Sequence, residues 1–244
     1  MWLGGQRIDL LRQEHLLKAV HDALDHRRCP LRLASANLDH VYRFDGESEL
    51  FRTDDQGQWL VLLDGMPLVW ATRRRTGQRW EQLAGSDLLP ALLGLCEGRG
   101  ARVGFVGGND ELRERLPGAL RARWPRLAVA GHWTPEREVV EDDDASRALA
   151  RELADHDVEL LVVGLGKPRQ ERWVARHGAA TGARVTAAFG ASTEFIAGVQ
   201  QRCPEPLSRV GAEWAFRLYK DPRRLARRYL AEGPVALTRV VTRR

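Results

Sequence analysis

The chain has 244 residues, 43% of them hydrophobic and 29% charged, with a formal net charge of +5. This composition is that of a globular protein able to bury a core of one large α/β domain or two small ones. Its cysteines (Cys29, Cys96 and Cys203) are far apart and form no CxxC pair, which excludes a disulfide framework or metal knuckle and fits a reducing compartment.

Short apolar runs alternate along the first 198 residues with segments of helical periodicity. The predicted strands are residues 31–34, 59–63, 102–106, 127–130, 158–164 and 185–189. The predicted helices are residues 15–25, 67–75, 86–97, 111–124, 145–155 and 169–177. The acidic segment 141–144 is expected to be a solvated loop. This order predicts an α/β fold with a largely parallel sheet flanked by helices.

After Gly198 the pattern changes to helices only, and residues 199–244 form a basic C-terminal appendage. The appendage holds 11 of the 38 Lys and Arg but only 4 of the 33 Asp and Glu. An apolar stripe predicts one helix, and Asp221-Pro222 is expected to end it and open another; the stripe is Leu207, Val210, Trp214 and Leu218.

Five arginines crowd together on this appendage: Arg217, Arg223, Arg224, Arg227 and Arg228. They fit the solvated face of a packed helical hairpin. They equally fit a cluster that binds an acidic partner, since like charges at this density repel one another.

Five glycines fall just after predicted strands: Gly107, Gly108, Gly164, Gly166 and Gly190. Open α/β sheets bind ligands at the carboxyl edge of their strands, where glycine lets backbone N–H groups approach a phosphate. Simple tight turns are the alternative. The GxGxxG spacing of dinucleotide sites is missing, as are P-loop, GxSxG and HExxH patterns. We therefore expect neither a metal ion nor a cofactor.

A carboxylate, Asp64, stands between an apolar strand and a helix with Pro67 in its first turn. Its ordinary role would be to cap that helix. The same place puts it at the ligand edge of the sheet, where a carboxylate can take a proton from a hydroxyl. Local sequence leaves both roles open for Asp64, whereas Glu171 is interpreted as a structural residue that suits the dipole of its helix.

The beginning of the chain becomes charged too early for a signal peptide, and no apolar run approaches the ~18 residues of a spanning helix. We expect a cytoplasmic protein whose membrane contact is peripheral.

In combination, these segments resemble the WecG/TagA/CpsF family of glycosyltransferases (glycosyltransferase family 26), from about Gly4 to Tyr229. The motifs occur in the order of the family. They are residues 34–37 (T-x-N), 63–71 (D-G-x-x-x-V-W), 85–88 (T-G-x-D-L), 164–171 (G-x-P-K-Q-E), 189–198 (G-G-S-F-D-F-x-A-G), 202–204 (R-A-P) and 211–218 (G-L-E-W-x-x-R-L).

The resemblance implies an inverting, metal-independent transfer of a sugar of N-acetylmannosamine type, or a related one, from a UDP-sugar. The acceptor would be a polyprenyl-diphosphate-linked sugar in the assembly of a cell-surface polysaccharide or teichoic-acid-like polymer. Residues 1–198 would form the catalytic core. Residues 199–244 would face the inner side of the cell membrane and complete the active site. Proteins of this kind can self-associate.

The resemblance also assigns roles to single residues. Asp64 would be the general base. Substrate contacts would fall on Ser35, Asn37, Gln82, Gln170, Glu194, Arg217, Arg224 and Arg227. Ser35 and Asn37 would contact sugar, Gln170 the donor and Glu194 the nucleotide, and the three arginines would offset the diphosphate charge. The glycines Gly107, Gly108, Gly166 and Gly190 would approach its phosphates.

Five positions depart from the pattern of the family: Ser35 for Thr, Gln82 for Arg, Ala191 for Gly, Thr193 for Phe and Glu194 for Asp. They cluster around the expected pockets, so we expect a shifted donor or acceptor preference. Two other classes remain open. One is a nucleotide-binding oxidoreductase, although the GxGxxG spacing expected of a dinucleotide site is missing. The other is a non-enzymatic module that binds a membrane or nucleic acid, whereas the transferase hypothesis predicts no nucleic-acid partner.

Overall fold

The computed structural model describes residues 1–25, 29–204, 211 and 213–243, apart from the side chain of Arg224. Leu207 and Val210 of the predicted apolar stripe lie outside these residues. Two short strands, β1 (Trp2–Leu3) and β2 (Gln6–Arg7), pair as an antiparallel hairpin. The main sheet consists of β3 (Leu31–Ala36), β4 (Gln58–Leu63), β5 (Val103–Gly107), β6 (Val129–Trp133), β7 (Leu160–Gly164) and β8 (Val185–Ala188).

The six strands lie in the order β4-β3-β8-β7-β5-β6, and each neighbouring pair is parallel. This confirms the predicted α/β fold class and all six predicted strands, although β6 begins two residues later than expected. The connection from β3 to β4 runs toward one edge of the sheet and that from β5 to β6 toward the other. Such a reversal opens a crevice at the carboxyl ends of the central strands.

Helices cover both faces of the sheet. They are α1 (Gln13–Asp25), α2 (Leu38–Arg43), α3 (Met66–Thr76), α4 (Gly85–Arg99), α5 (Asp110–Arg123), α6 (Arg137–Glu141), α7 (Asp143–Asp155), α8 (Arg169–His177) and α9 (Ser192–Ile196). Short 3₁₀ turns lie at Ser48–Phe51 and Gly178–Thr181. All six helices predicted in the core are present.

Residues 141–144 are exposed as predicted, but the prediction that they form a loop is wrong. Glu141 ends α6, and Asp142 caps α7 by accepting the backbone N–H of Ala145 at 2.8 Å. Asp143 and Asp144 lie in the first turn of α7. Carboxylates are favoured there because they accept free N–H groups and complement the helix dipole.

Strand β4 shows why the sheet is buried on both faces. Leu60 and Leu62 pack into the core on the side of α1 and α4, while Val61 and Leu63 pack on the side of α2 and α3. Apolar residues on both faces of a strand are typical of parallel sheets covered by helices on each side. Polar side chains can therefore emerge only at the strand ends.

The C-terminal appendage folds back onto the core. Its described residues form α10 (Glu213–Lys220), α11 (Pro222–Ala226), a π-helical turn (Arg227–Glu232) and α12 (Gly233–Thr242). The predicted break at Asp221-Pro222 is confirmed, but the sequence analysis missed α12. Ala236 and Val240 of α12 are buried in the core on the side of α2.

His40 of α2 is buried among aromatic rings, with its ring centre 4.7 Å from those of Phe44 and Phe51. Neither of its ring nitrogens has a hydrogen-bond partner in the described part of the chain. Burial, and then the charge of Lys167, lower the pKa of His40 well below its ordinary value of 6.5. The imidazole is therefore neutral in the folded protein at neutral pH.

We predict that His40→Phe reduces the loss of stability in acid. The lowered pKa means that the unfolded chain binds the proton first, so stability falls as the pH drops through 6.5. Between a pH of about 7.5 and one of about 5.5, urea unfolding should show the wild type losing about 1 kcal/mol more than the variant. The exposed His15, replaced in the same way, controls for the loss of a histidine. Equal losses in wild type and His40→Phe would contradict a neutral buried imidazole.

Candidate active site

Asp64 lies immediately after β4, and neighbouring segments hold its carboxylate. Asn37, after β3, donates Nδ2 to Asp64 Oδ2 at 3.4 Å, and Gln82 donates Nε2 to Oδ1 at 3.2 Å. The backbone N–H of Asp64 donates to the carbonyl of Ala36 at 2.9 Å, which extends the pairing of β3 and β4 by one residue. A carboxylate has about four acceptor positions, so two amide donors leave room for a substrate hydroxyl.

Asp64 does not cap α3, so the ordinary role considered from the sequence is wrong. The N-cap is Gly65, with a φ of 79° and no side-chain capping bond, and a proline occupies the first turn as predicted. Asn37 caps a different helix, α2, because its Oδ1 accepts the backbone N–H of His40 at 3.2 Å. The same Asn37 side chain therefore fixes α2 and directs the Asp64 carboxylate.

Three glycine turns meet at the ends of β5, β7 and β8. A side chain on Gly107, whose φ is 103°, would run into the carbonyl of Gly164, and a Cβ on Gly164 would lie 3.0 Å from the carbonyl oxygen of Gly190. Positive φ and close backbone approach require glycine here. His132 of β6, which the sequence analysis missed, lies 2.8 Å through Nε2 from the carbonyl of Gly107. Gly108 and Gly166 follow in the same turns, also with positive φ.

A buried polar network lies beside these turns. Gln170 is 2% exposed and donates Nε2 to the carbonyl of Ala188 at 2.9 Å and to Glu171 at 3.0 Å. Lys167 donates Nζ to the carbonyl of Ser35 at 2.6 Å and pairs with Glu171 at 3.4 Å. Gln170 Oε1 and Glu171 Oε2 have no partner within the described residues. Because an unsatisfied buried acceptor is costly, a ligand donor would stabilise this network.

Lys167 was not predicted to take part in this network. Glu171 lies in the first turn of α8 as predicted, and its side chain is fully buried there. The spacing within the Gly166 loop was the available signal, since it puts a lysine and a glutamate one helical turn apart.

Arg217 of α10 brings positive charge to the same region. Its guanidinium lies over the ring of Phe195, 5.4 Å from the ring centre, and pairs with Glu213. Burial acts to lower the pKa of Arg217, but nearby acidic groups, Glu213 first and Asp64 among them, raise it above its ordinary value. The Asp64 carboxylate is therefore close enough to act on the charge of this arginine.

Three other residues were predicted to contact the substrate, and the structure gives side-chain partners for two of them. The side chain of Glu194 on α9 accepts a hydrogen bond from Gln200. Arg227 is 84% exposed and pairs through Nε with Glu232 at 3.1 Å. The side chain of Arg224 lies outside the described part of the structure. The structure thus brings Asn37, Asp64 and Gln82 into contact, but Arg227 pairs within the appendage.

A surface recess of about 540 Å³ lies at the opposite, amino edge of the sheet and is lined in part by Arg102, Glu159 and Arg184. Arg184 pairs with Glu159 at 2.9 Å, and Glu159 also accepts the backbone N–H of Arg102 at 3.0 Å. Arg184 and Glu159 therefore offset each other, and the side chain of Arg102 donates Nε to the carbonyl of His156 at 3.1 Å. The unpartnered acceptors of Gln170 and Glu171 and the stacked glycine turns lie at the carboxyl edge, which is therefore the candidate site.

The described residues contain no group of three or more His, Cys, Asp or Glu arranged to hold a metal ion. Their helices include none with the length and apolar character needed to span a bilayer.

A parallel sheet with a directed carboxylate, glycine turns and an arginine at its carboxyl edge defines an α/β protein built to bind an anionic ligand there. Comparison with known proteins makes this class specific. Residues 1–244 match the glycosyl transferase WecG/TagA/CpsF family, and the chain belongs to that family.

Among its relatives is the N-acetylglucosaminyldiphosphoundecaprenol N-acetyl-beta-D-mannosaminyltransferase of Staphylococcus aureus (strain MRSA252). The two are 26% identical over 167 residues, which cover 68% of this chain and 63% of the relative. The protein of the same name from Bacillus subtilis (strain 168) is 24% identical over 181 residues, 73% of this chain and 67% of the relative. The match to the Staphylococcus aureus protein thus spans less than two thirds of its length.

We predict that Gly107→Ala destabilises the protein, because its Cβ would meet the backbone of Gly164 at a positive φ. Urea unfolding should show a loss of more than about 1 kcal/mol. Gly118→Ala is the matched control, since a Cβ there meets nothing within 4 Å in the middle of α5. The control should gain up to about 1 kcal/mol. A Gly107→Ala variant as stable as the wild type would show that the glycine turns do not stack.

Proposed function

We propose that this chain transfers a sugar of N-acetylmannosamine type, or a related one, from a UDP-sugar to a polyprenyl-diphosphate-linked sugar. The transfer proceeds with inversion and without a metal ion, at the inner face of the cell membrane, in the assembly of a surface polymer. The observation that carries the proposal is the Asp64 carboxylate at the carboxyl edge of the sheet, held by two amides and close enough to act on the charge of Arg217. The names of the relatives supply the type of donor group and lipid-linked acceptor.

The reaction would be a single in-line displacement. Asp64 takes the proton of the acceptor hydroxyl as the hydroxyl oxygen attacks the anomeric carbon of the donor. The bond between that carbon and the UDP oxygen breaks, and its electron pair leaves with UDP. Attack opposite the leaving group inverts the anomeric configuration. Asn37 and Gln82 keep the carboxylate in one orientation, so less freedom is lost when the acceptor binds.

The departing UDP carries negative charge that has to be offset. Guanidinium groups and backbone N–H groups can supply this offset, and arginine binds phosphate oxygens in pairs. Arg217 is suited to the role because a guanidinium group stays charged at neutral pH, and Phe195 and Glu213 hold it in place. The glycine turns at Gly107 and Gly190 would add backbone donors, and Gly108 and Gly166 extend the same turns.

Four further side chains complete the proposed substrate contacts. The unpartnered Oε1 of Gln170 is suited to accept a hydrogen bond from an N–H or O–H group of the UDP-sugar. Ser35 lies at the end of β3, two residues before Asn37, where it would contact sugar. Glu194 would contact the nucleotide. Gln82 is bound to Asp64 at the position where the family pattern has arginine, which supports a shifted substrate preference.

We predict that Asp64→Asn lowers the transfer rate by at least about a hundredfold, because an amide of the same shape cannot take the proton. Transfer from UDP-N-acetylmannosamine to a synthetic polyprenyl-diphosphate-linked N-acetylglucosamine measures the rate. Calorimetry should show that UDP still binds. Asp144→Asn, at an exposed position on α7, is the control and should leave the rate unchanged. Near-normal turnover by Asp64→Asn would remove Asp64 as the base.

Exposed apolar side chains on the appendage support peripheral contact with a membrane. Leu237 and Val241 lie one turn apart on α12, and the exposed Trp2 of β1 borders Val241 across a shallow recess. Arg75 joins these elements by donating to the carbonyls of Trp2 at 2.9 Å and Val240 at 2.6 Å. Tryptophan and aliphatic residues beside arginines are typical of a surface at the level of lipid headgroups.

We predict that the double variant Leu237→Asp/Val241→Asp weakens binding to vesicles of anionic phospholipid by at least about tenfold. Cosedimentation with the vesicles measures this binding. The buried residues of α12 are untouched, so the variant should fold and keep its activity on a short, water-soluble acceptor. Val129→Asp, exposed at the start of β6, is the control. Unchanged vesicle binding by the double variant would place the membrane contact elsewhere.

A further inference from the structure

Five side chains of alternating charge join α2 to the π-helical turn of the appendage. In spatial order they are Arg228, Asp39, Arg43, Glu232 and Arg227. Arg228 Nη2 lies 3.5 Å from Asp39 Oδ2, and Arg43 Nε lies 3.3 Å from Asp39 Oδ1. Arg43 Nη2 lies 2.9 Å from Glu232 Oε2, and Arg227 Nε lies 3.1 Å from Glu232 Oε1. We call these five residues the arginine–carboxylate chain.

The two carboxylates are the buried members of this chain. The side chains of Asp39 and Glu232 are each 5% exposed, whereas that of Arg227 is 84% exposed. A buried carboxylate without a cationic partner is strongly disfavoured, so these two groups determine where the guanidinium groups lie. Three positive and two negative charges leave a net charge of +1, and Arg227 forms the exposed end.

The arginine–carboxylate chain passes beside the candidate active site at Asp39. This residue lies in the first turn of α2, two residues after Asn37, whose side chain donates to Asp64. Both ends of the chain, Arg228 and Arg227, lie in a π-helical turn, a form of helix frequently found at functional sites. The contacts that anchor the appendage therefore also connect its arginines to the element that directs Asp64.

The same turn carries the exposed apolar side chain of Leu230 and leads directly into α12, where Leu237 and Val241 are also exposed. This is the surface proposed above to meet the membrane. A polyprenyl diphosphate presents its phosphates at that level, between the bilayer and the sheet. Arg227, 84% exposed in the same turn as Leu230, is therefore accessible to a diphosphate at that level.

We propose that Asp39, Arg43 and Glu232 are positioning residues that hold Arg228 and Arg227 where the diphosphate of the lipid-linked acceptor binds. The inference rests on the proposed function and deepens it. Glu232 orients Arg227 and Asp39 orients Arg228. Arg43 bridges both carboxylates, so the two arginines are held as one unit. The three positioning residues act through the arginines and do not touch the substrate.

The test compares kinetic constants for the two substrates in wild type and Glu232→Gln, which keeps the shape of the side chain but removes its charge. We expect KM for the polyprenyl-diphosphate acceptor to rise about tenfold, while kcat and KM for the UDP-sugar stay within about twofold. Glu141→Gln is the matched control, since it removes the charge from an exposed ion pair within α6, in which Arg137 Nε lies 2.6 Å from Glu141 Oε1. The control should change none of the constants.

A double-mutant cycle separates positioning from a general structural role. If Glu232 acts through Arg227, each single variant, Arg227→Gln and Glu232→Gln, raises the acceptor KM. The double variant then raises it by less than the product of the two single effects. Effects that multiply, or an unchanged acceptor KM in folded Glu232→Gln, would overturn the proposal. If Glu232→Gln does not fold, the same cycle on Asp39→Asn and Arg228→Gln decides. A wild type that transfers no sugar would instead contradict the proposed function itself.

Discussion

A carboxylate that emerges from a buried strand has few directions open to it, and the candidate site depends on this constraint at Asp64. Strand β4 is apolar on both faces, so the side chain that follows it can only point along the carboxyl edge of the sheet. Asn37 and Gln82 then fix its two oxygens. Parallel strands end at one edge, which places the glycine turns of β5, β7 and β8 on the same side of the molecule as this carboxylate.

The core supplies the Asp64 carboxylate and the glycine turns, and α10 adds a guanidinium group. Arg217 of α10 lies over the ring of Phe195 and pairs with Glu213. The appendage is docked rather than loosely attached, because α12 buries Ala236 and Val240 against the core. Ion pairs with α2 fix its orientation. The candidate site therefore combines residues of the core with an arginine from the last fifth of the chain.

Much of the fold could be predicted from sequence because buried parallel strands are continuous apolar runs and the helices between them are long. Short elements could not be predicted: α2 has only six residues, too few to show a helical periodicity. Its N-cap, Asn37, was singled out only because it lies in a family motif. The role of Asp64 was undecided locally, since a carboxylate before a helix usually caps it. Tertiary contacts from Asn37 and Gln82 decide that it does not. The pair of Arg43 and Glu232 joins residues 189 positions apart, beyond any local pattern.

A crystal structure of the protein with a UDP-sugar would show whether Asp64 and Arg217 act on one bound substrate. We expect a diphosphate within about 3 Å of the Arg217 guanidinium and the glycine turns. The anomeric carbon should face Asp64 with space for an acceptor hydroxyl between them. A nucleotide bound at the amino edge beside Arg102 and Arg184, or a diphosphate that Arg217 does not reach, would contradict this expectation.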